Sequence, residues 1–310
     1  MKKTISRIII VMLIVIFING CSSSEQLPYI NLADNNNSVL DNQQTPENAV
    51  IVGIASVISP QASRIGYDNM IKYLEEKLEA PIILVQGKTY AEINQMIKEG
   101  NIDIAFICSL AYVLGERGNY MDGIVAPKVE GKAIYRSYYL AHVDSEINKL
   151  DDLKGKRFAF TDPDSYSGRL AVLNFLKNNG ETAESFFSKT FYTYSHDYSV
   201  KAVASGLVDG SAVDSLVFDQ MVDLGLEDAK NIKIIGYSDW VGTPPVVVSK
   251  YVSSGFKRKA KNILLNMDND PKGKEILKKL NIEEFVPVNN DSYKPIHEMI
   301  DNVGDKRWIN

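Results

Sequence analysis

The sequence predicts an α/β protein built on two sheets. Two observations carry this. From Val50 onward, short apolar, β-branched runs alternate with amphipathic helical patterns, as expected of parallel strands joined by helical crossovers. A longer alternating stretch, Ile134 to Val143, interrupts that series, and strand-to-helix units then resume. The chain of 310 residues is long enough for two domains, and 45% hydrophobic with 24% charged residues is a globular composition. A net charge of −5 with no long basic run argues against nucleic acid as a partner.

The first residues read as a targeting segment. Lys2, Lys3 and Arg7 precede an unbroken apolar run from Ile8 to Phe17, too short to span a bilayer and suited to a signal peptide. Ile18-Asn19-Gly20-Cys21 resembles a bacterial lipobox, so residues 1–21 are expected to be a lipoprotein signal peptide with Cys21 lipidated at its thiol. Cys108 is then the only other cysteine, no disulfide is possible, and a buried, inert thiol is expected there. Residues 22–49 are polar, with Ser22-Ser23-Ser24 and Asn35-Asn36-Asn37, and read as a disordered tether that holds the folded body clear of a membrane.

In chain order, Val50 to Ala55 is the first strand and Ser56 to Ser63 a loop containing Pro60. Ile65 to Leu78 is an amphipathic helix whose Tyr67 reads as packing. Ile82 to Val85 is the second strand. Thr89 caps a helix that runs to Lys98 and is stopped by Gly100. Ile102 to Ile107 is the third strand. Ile134 to Val143 reads as one extended strand crossing between lobes. Three units follow: Phe158–Thr161 with a helix from Ser167 to Asn178, Phe191–Tyr194 with a helix from Asp197 to Ser205, and Gly210–Val213 with a helix from Ser215 to Leu224. Thr243-Pro244-Pro245 and Val246 to Val248 read as the return crossing, and helices over Phe256–Met267 and Gly273–Leu280 complete the body.

The chemically informative stretch is Asp162-Pro163-Asp164-Ser165-Tyr166-Ser167-Gly168-Arg169. Three hydroxyls stand where a strand gives way to a helix. The first N–H groups of a helix lack intrahelical partners and the dipole there favours negative charge, so added hydroxyl donors make a seat for a small oxyanion. The competing reading is that Ser165 or Ser167 caps its own helix. Arg169 is either solvated or an anion contact.

These residues resemble the Asp-Pro-x-Ser-Thr-Ser-Gly signature of the phosphate/phosphite/phosphonate solute-binding proteins of ABC transporters. Ser195-His196-Asp197 and Val208-Asp209-Gly210-Ser211-Ala212-Val213-Asp214 are similar to that family's next two blocks, in the same order, and the likeness runs from about Val52 to about Val288. Tyr166 stands where the family usually has Thr, so Tyr166→Thr is expected to change ligand choice more than stability. The resemblance implies the two-lobed type 2 periplasmic-binding-protein architecture, with residues 50–142 and 246–310 as lobe 1 and 143–245 as lobe 2, hinged near His142 and Pro245.

Ligands of open parallel sheets bind beyond the carboxyl ends of the strands. That rule and the resemblance together nominate Ser165, Tyr166, Ser167, His196 and Asp214 from lobe 2, and Ser56, Tyr90 and Tyr112 from lobe 1. Asp214 also suits capping of the next helix, and Asp197 reads as a plain cap. The histidines and cysteines do not cluster as a metal set, and no cofactor is called for. The expected function is an extracytoplasmic, lipid-anchored binding protein that closes on a small oxyanion and serves an ABC permease and ATPase. The alternatives are a ligand-sensing lipoprotein coupled to a membrane kinase and, less favoured, a hydrolase using Ser165 or Ser167 with His196 and Asp214.

Overall fold

A computed structural model describes residues 29–31, 46, 48–57 and 60–309. The stretch expected to be a signal peptide, with Cys21, and most of the expected tether lie outside the described residues. No helix among the described residues is long and apolar enough to cross a membrane.

The strands are β1 (Tyr29–Asn31), β2 (Val50–Ile54), β3 (Ile82–Gln86), β4 (Ile104–Phe106), β5 (Met121–Lys128), β6 (Ile134–Tyr135), β7 (Ser137–His142), β8 (Arg157–Phe160), β9 (Lys189–Tyr192), β10 (Gly210–Asp214), β11 (Ile232–Tyr237), β12 (Val241–Gly242), β13 (Val246–Ser249) and β14 (Glu284–Pro287). The first sheet has the order β1-β3-β2-β4-β13-β5-β14 and the second β11-β7-β10-β8-β9. In the first, β3, β2 and β4 are parallel, whereas β13 lies antiparallel between β4 and β5. In the second, β10, β8 and β9 are parallel and β7 runs against β10 and β11.

Alternation explains the first sheet's two covers. Val50, Val52 and Ile54 of β2 pack with Met70, Ile71 and Leu74 of the helix Pro60–Leu78, while Ala55 packs on the other side with Ile93 and Ile97 of the helix Tyr90–Lys98. Thr89 caps the latter helix as expected, accepting from Glu92 N–H at 3.2 Å. The former helix starts at Pro60, five residues before the expected Ile65; proline suits a first turn because its missing N–H would have had no helical partner.

Three expectations are corrected. Ile134–Val143 is not one crossing strand. It breaks at Arg136: β6 pairs with β12, and β7 sits in the middle of the second sheet. The chain therefore joins the second sheet by Ser137, before the boundary expected near His142. The two crossings lie side by side, Tyr135 opposite Val241 and Ile134 opposite Gly242. Finally, Tyr29–Asn31, inside the stretch read as a tether, runs as an edge strand parallel to β3.

Candidate ligand-binding site

The stretch after β8 folds as a turn into a helix. Asp162 Oδ1 accepts from Asp164 N–H at 2.8 Å, and Ser165, in extended conformation, accepts from Gly168 N–H at 2.9 Å. The capping role thus belongs to Ser165. The chain next makes a π-helical turn, Tyr166–Leu170, before the α-helix Ala171–Asn178, and wide turns of this kind often mark functional sites. Gly168 is pressed against Thr161, and a Cβ there would collide with the Thr161 side chain.

This turn separates the fates of the three hydroxyls. Ser167 Oγ is buried and has no hydrogen-bond partner among the described residues. The Tyr166 hydroxyl points elsewhere, to Ser238 Oγ at 3.0 Å and the Asp239 carbonyl at 2.8 Å near the second crossing. Its backbone N–H instead faces the Cys108 sulfur. The expected trio of hydroxyls at one point is thus corrected to Ser167 with Ser165 behind it.

Lobe 1 contributes from the ends of β2, β3 and β4. Tyr90 opens the helix after β3; its N–H donates to Asp162 Oδ2 of the other lobe at 3.2 Å, and its buried hydroxyl faces Ser165 without a hydrogen bond of good geometry. Ser56 donates to the Gly87 carbonyl and ties the ends of β2 and β3 together. Tyr112 is not brought to the cleft. Its hydroxyl faces Glu116 and Asn290, at 3.5 and 3.4 Å, and its ring packs edge-on against Tyr293. Arg169 is also directed away, paired with Asp305 at 3.0 Å and set over the Trp308 ring.

Two residues absent from the expected set belong here. Tyr135, on the first crossing, is fully buried, meets the Tyr166 ring edge-on at 5.7 Å, and has a hydroxyl that faces Ser109 without a hydrogen bond of good geometry. Tyr90 and Tyr135 both lie within electrostatic reach of Cys108 and Asp214, which places the three elements around one space. Cys108 is buried as expected, with its thiol pushed up to about 11 by burial, but it sits beside the cluster rather than in a remote core.

His196 and Asp214 complete the lobe 2 side. Ser195 caps the helix His196–Ala204, and Asp197 takes the first turn, accepting from Ser195 Oγ at 2.6 Å. His196 Nδ1 accepts from the Asp214 N–H at 3.0 Å. Burial pushes the imidazole down to about 3, so the ring is neutral at physiological pH and carries its proton on Nε2 as a donor. Asp214 caps its helix, Ser215–Asp223, through Leu216 N–H at 2.7 Å, and burial pushes its carboxyl up to about 7. Burial likewise raises Asp162 to about 6, partly offset by the N–H donors of Asp164 and Tyr90.

The lobes meet over this space. Besides the Tyr90–Asp162 bond, His196 N–H donates to the Val57 carbonyl at 3.0 Å and Trp308 Nε1–H to Asp164 at 2.9 Å. Buried hydroxyls of lobe 1, the first crossing and lobe 2 thus lie on elements that pack together where the lobes meet. The arrangement suits holding acceptor oxygens. It does not assemble a triad, because His196 Nδ1 is engaged by a main-chain N–H and not by the Asp214 carboxylate. Among the described residues no group of three or more His, Cys, Asp or Glu could hold a metal.

Comparison with known proteins agrees with the fold. Residues 52–293 match the family model of periplasmic substrate-binding proteins of phosphonate ABC transporters. The chain is 32% identical over 207 residues to the phosphate-import protein PhnD of Mycolicibacterium smegmatis, covering 63% of this chain and 64% of that one, just under two thirds of its length. It is 28% identical over 260 residues to the phosphonates-binding periplasmic protein of Escherichia coli, covering 82% and 76%. Among solved structures, PhnD1 of Prochlorococcus marinus in complex with methylphosphonate superposes with a TM-score of 0.75 at 21% identity, covering 83% of this chain and 98% of that one. A binding component of a Pseudomonas aeruginosa phosphonate transporter gives 0.77 at 22%, covering 82% and 85%. These likenesses carry the two-lobed binding-protein fold.

Proposed function

This chain belongs to the periplasmic substrate-binding proteins of phosphonate ABC transporters, and on that premise we propose that it captures one phosphonate-, phosphite- or phosphate-class oxyanion between its lobes and delivers it to an ABC permease and ATPase. The observation that carries the reading is the set of three buried hydroxyls, on Tyr90, Tyr135 and Ser167, none of which makes a hydrogen bond of good geometry, although Tyr90 faces Ser165 and Tyr135 faces Ser109. A buried donor left unsatisfied costs about 1–3 kcal/mol. Three of them from separate segments are retained at that cost where a ligand supplies the acceptors. A tetrahedral oxyanion offers acceptors in several directions, and neutral donors in a water-excluded place hold it well.

Cys21 would anchor the protein to a membrane by its lipid and residues 22–49 would space the lobes from that surface. Titration calorimetry with phosphite, phosphate, methylphosphonate and sulfate tests the ligand class. Binding of at least one phosphorus oxyanion, weakened at least tenfold in Ser167→Ala/Tyr135→Phe, is the expected result. An absence of heat for all three phosphorus oxyanions would overturn the reading.

A further inference from the structure

A chamber of about 430 Å3 shares Asp214 with the candidate site, although Tyr90, Tyr135 and Ser167 do not line it. Asp214 forms part of its wall, and Ala55 and Ile107, which also line it, are chain neighbours of Ser56 and Cys108. The chamber runs between the lobes, with Met70, Phe106 and Phe285 on one side and Leu216 of the helix Ser215–Asp223 on the other. The Tyr67 ring sits there edge-on to Phe106 at 5.1 Å, and its phenol feels the Asp214 charge.

Size and chemistry both separate this chamber from the oxyanion seat. A tetrahedral oxyanion needs roughly the space of two or three waters, ~60–90 Å3. The chamber is several times larger and falls in the range of organic-ligand pockets. Its lining is mostly apolar, and its one ammonium, Lys279, is paired with Glu275 at 2.9 Å. An anion moved there would exchange its hydration for the few donors of Tyr67, Gln220 and Asn281, with the Asp214 carboxyl in the same wall. A hydrocarbon would lose nothing.

Resting on the oxyanion reading above, we infer that the ligand is an organophosphonate with an apolar arm, such as a butyl chain or a phenyl ring. Its phosphonate head lies among Tyr90, Tyr135 and Ser167, and its arm passes Asp214 into the chamber. Each methylene buried there strengthens binding up to about fourfold, the equivalent of ~0.8 kcal/mol. Gln220, one turn along the helix from Leu216, also lines the chamber, so a large side chain at that position would fill the arm's space without touching the head.

The test is titration calorimetry on the full chain in detergent, with phosphite, methylphosphonate, n-butylphosphonate and phenylphosphonate. The expected result is that the butyl or phenyl compound binds at least tenfold tighter than methylphosphonate. Gln220→Trp should abolish that advantage and leave methylphosphonate binding unchanged. If phosphite and methylphosphonate bind while the larger compounds bind equally or more weakly, the chamber takes no arm and the inference is overturned, with the oxyanion reading intact. An advantage that survives Gln220→Trp also overturns it. If none of the four binds, the oxyanion reading itself fails, and this inference with it.

Discussion

The main-chain N–H of Asp214 donates to Nδ1 of His196 at 3.0 Å, so two buried titratable residues of the cleft touch through backbone rather than through a salt bridge. Each is held neutral by burial, and their pH linkages have opposite signs. Asp214 rises from 3.8 to about 7, so between those values the native state keeps a proton that the unfolded chain has lost. Its contribution to stability is therefore lost as pH rises through that window. His196 falls from 6.5 to about 3, so the unfolded chain holds the extra proton and stability is lost as pH falls below 6.5.

Between about pH 4 and 6.5 the two slopes oppose, each at most ~1.4 kcal/mol per pH unit. Asp162, raised to about 6, adds a second slope of the carboxyl sign, so Asp214→Asn should remove one of two slopes that oppose the histidine, shifting the profile toward stability that rises with pH over that range and exceeds wild type near pH 7.5. His196→Gln should do the reverse. Urea unfolding at pH 4.5, 5.5, 6.5 and 7.5 measures both. Parallel profiles for the three proteins would show that neither group is titrating as its burial demands.

Removing the unpartnered hydroxyls should separate binding from folding. Tyr90→Phe, Tyr135→Phe and Ser167→Ala each delete a buried hydroxyl that makes no hydrogen bond of good geometry, Tyr90 and Tyr135 only facing Ser165 and Ser109. Stability without ligand should hold or rise by up to about 1 kcal/mol, because a desolvation cost disappears. Affinity for the oxyanion should drop roughly tenfold per change, since hydrogen bonds to charged groups are worth about 1.5–3 kcal/mol. Thermal unfolding and calorimetry on the same preparations decide; a clear loss of stability without ligand would mean that these hydroxyls have structural partners.

Tyr166 should behave in the opposite way. Its hydroxyl serves Ser238 and Asp239 beside the second crossing, and its ring packs on Tyr135. Tyr166→Phe should cost about 1–2 kcal/mol of stability through the buried partners it leaves behind, with affinity changed less than twofold. Tyr166→Thr should cost more, because the ring's volume is lost as well. The family resemblance led to the reverse balance, ligand choice before stability; chemical denaturation of both variants alongside ligand titration distinguishes the two.

What the sequence revealed and what it hid follow from the range of the forces involved. Ser165, His196, Asp214 and Tyr90 were legible because each opens a helix after a strand, a pattern written in neighbouring residues. The direction of a side chain was not. Tyr112 sits on the helix Ser109–Arg117 at a place that could face either way, and it is the packing of Tyr293, from the far end of the chain, that turns it from the cleft. Tyr166 looked like a third donor until Ser238 and Asp239 claimed its hydroxyl. The alternation of Ile134–Val143 is unbroken in sequence, yet Arg136, stacked on Tyr237 and Trp240, marks where the strand changes partners. Tyr135 was missed with that break, because only the pairing with Val241 puts it on a crossing.

The anchor rests on sequence alone and is testable alone. Cys21→Ala should abolish incorporation of labelled fatty acid and shift the protein out of the membrane fraction or leave an uncleaved precursor. Label and membrane association equal to wild type would remove the lipobox reading without touching the binding site.

The last prediction concerns how Asp214 chooses among anions. A carboxyl at the edge of an oxyanion seat repels its ligand when both are ionised, and an ionised carboxylate can only accept hydrogen bonds. With its carboxyl pushed up to about 7, Asp214 has two roles. Below pH 7 it is protonated and can donate to any oxyanion. Above pH 7 it is ionised and tolerates only a ligand that brings its own proton, such as monoprotonated phosphite or phosphate. A fully ionised anion such as sulfate must then bind together with a proton. Its affinity should fall about tenfold per pH unit above 7. Wild type should therefore discriminate against sulfate at pH 8.5 and much less at pH 5.5. Asp214→Asn carries no titrating carboxyl, so its sulfate affinity should be flat over that range and exceed wild type at the alkaline end. Wild-type affinity for phosphite should also fall above pH 7, because phosphite loses its last acidic proton near neutrality, and Asp214→Asn should depend on that proton less. Calorimetric titrations of both proteins with sulfate and phosphite at pH 5.5, 7 and 8.5 provide the comparison. Identical pH profiles would confine Asp214 to capping its helix and move the selectivity to the hydroxyls of Tyr90, Tyr135 and Ser167.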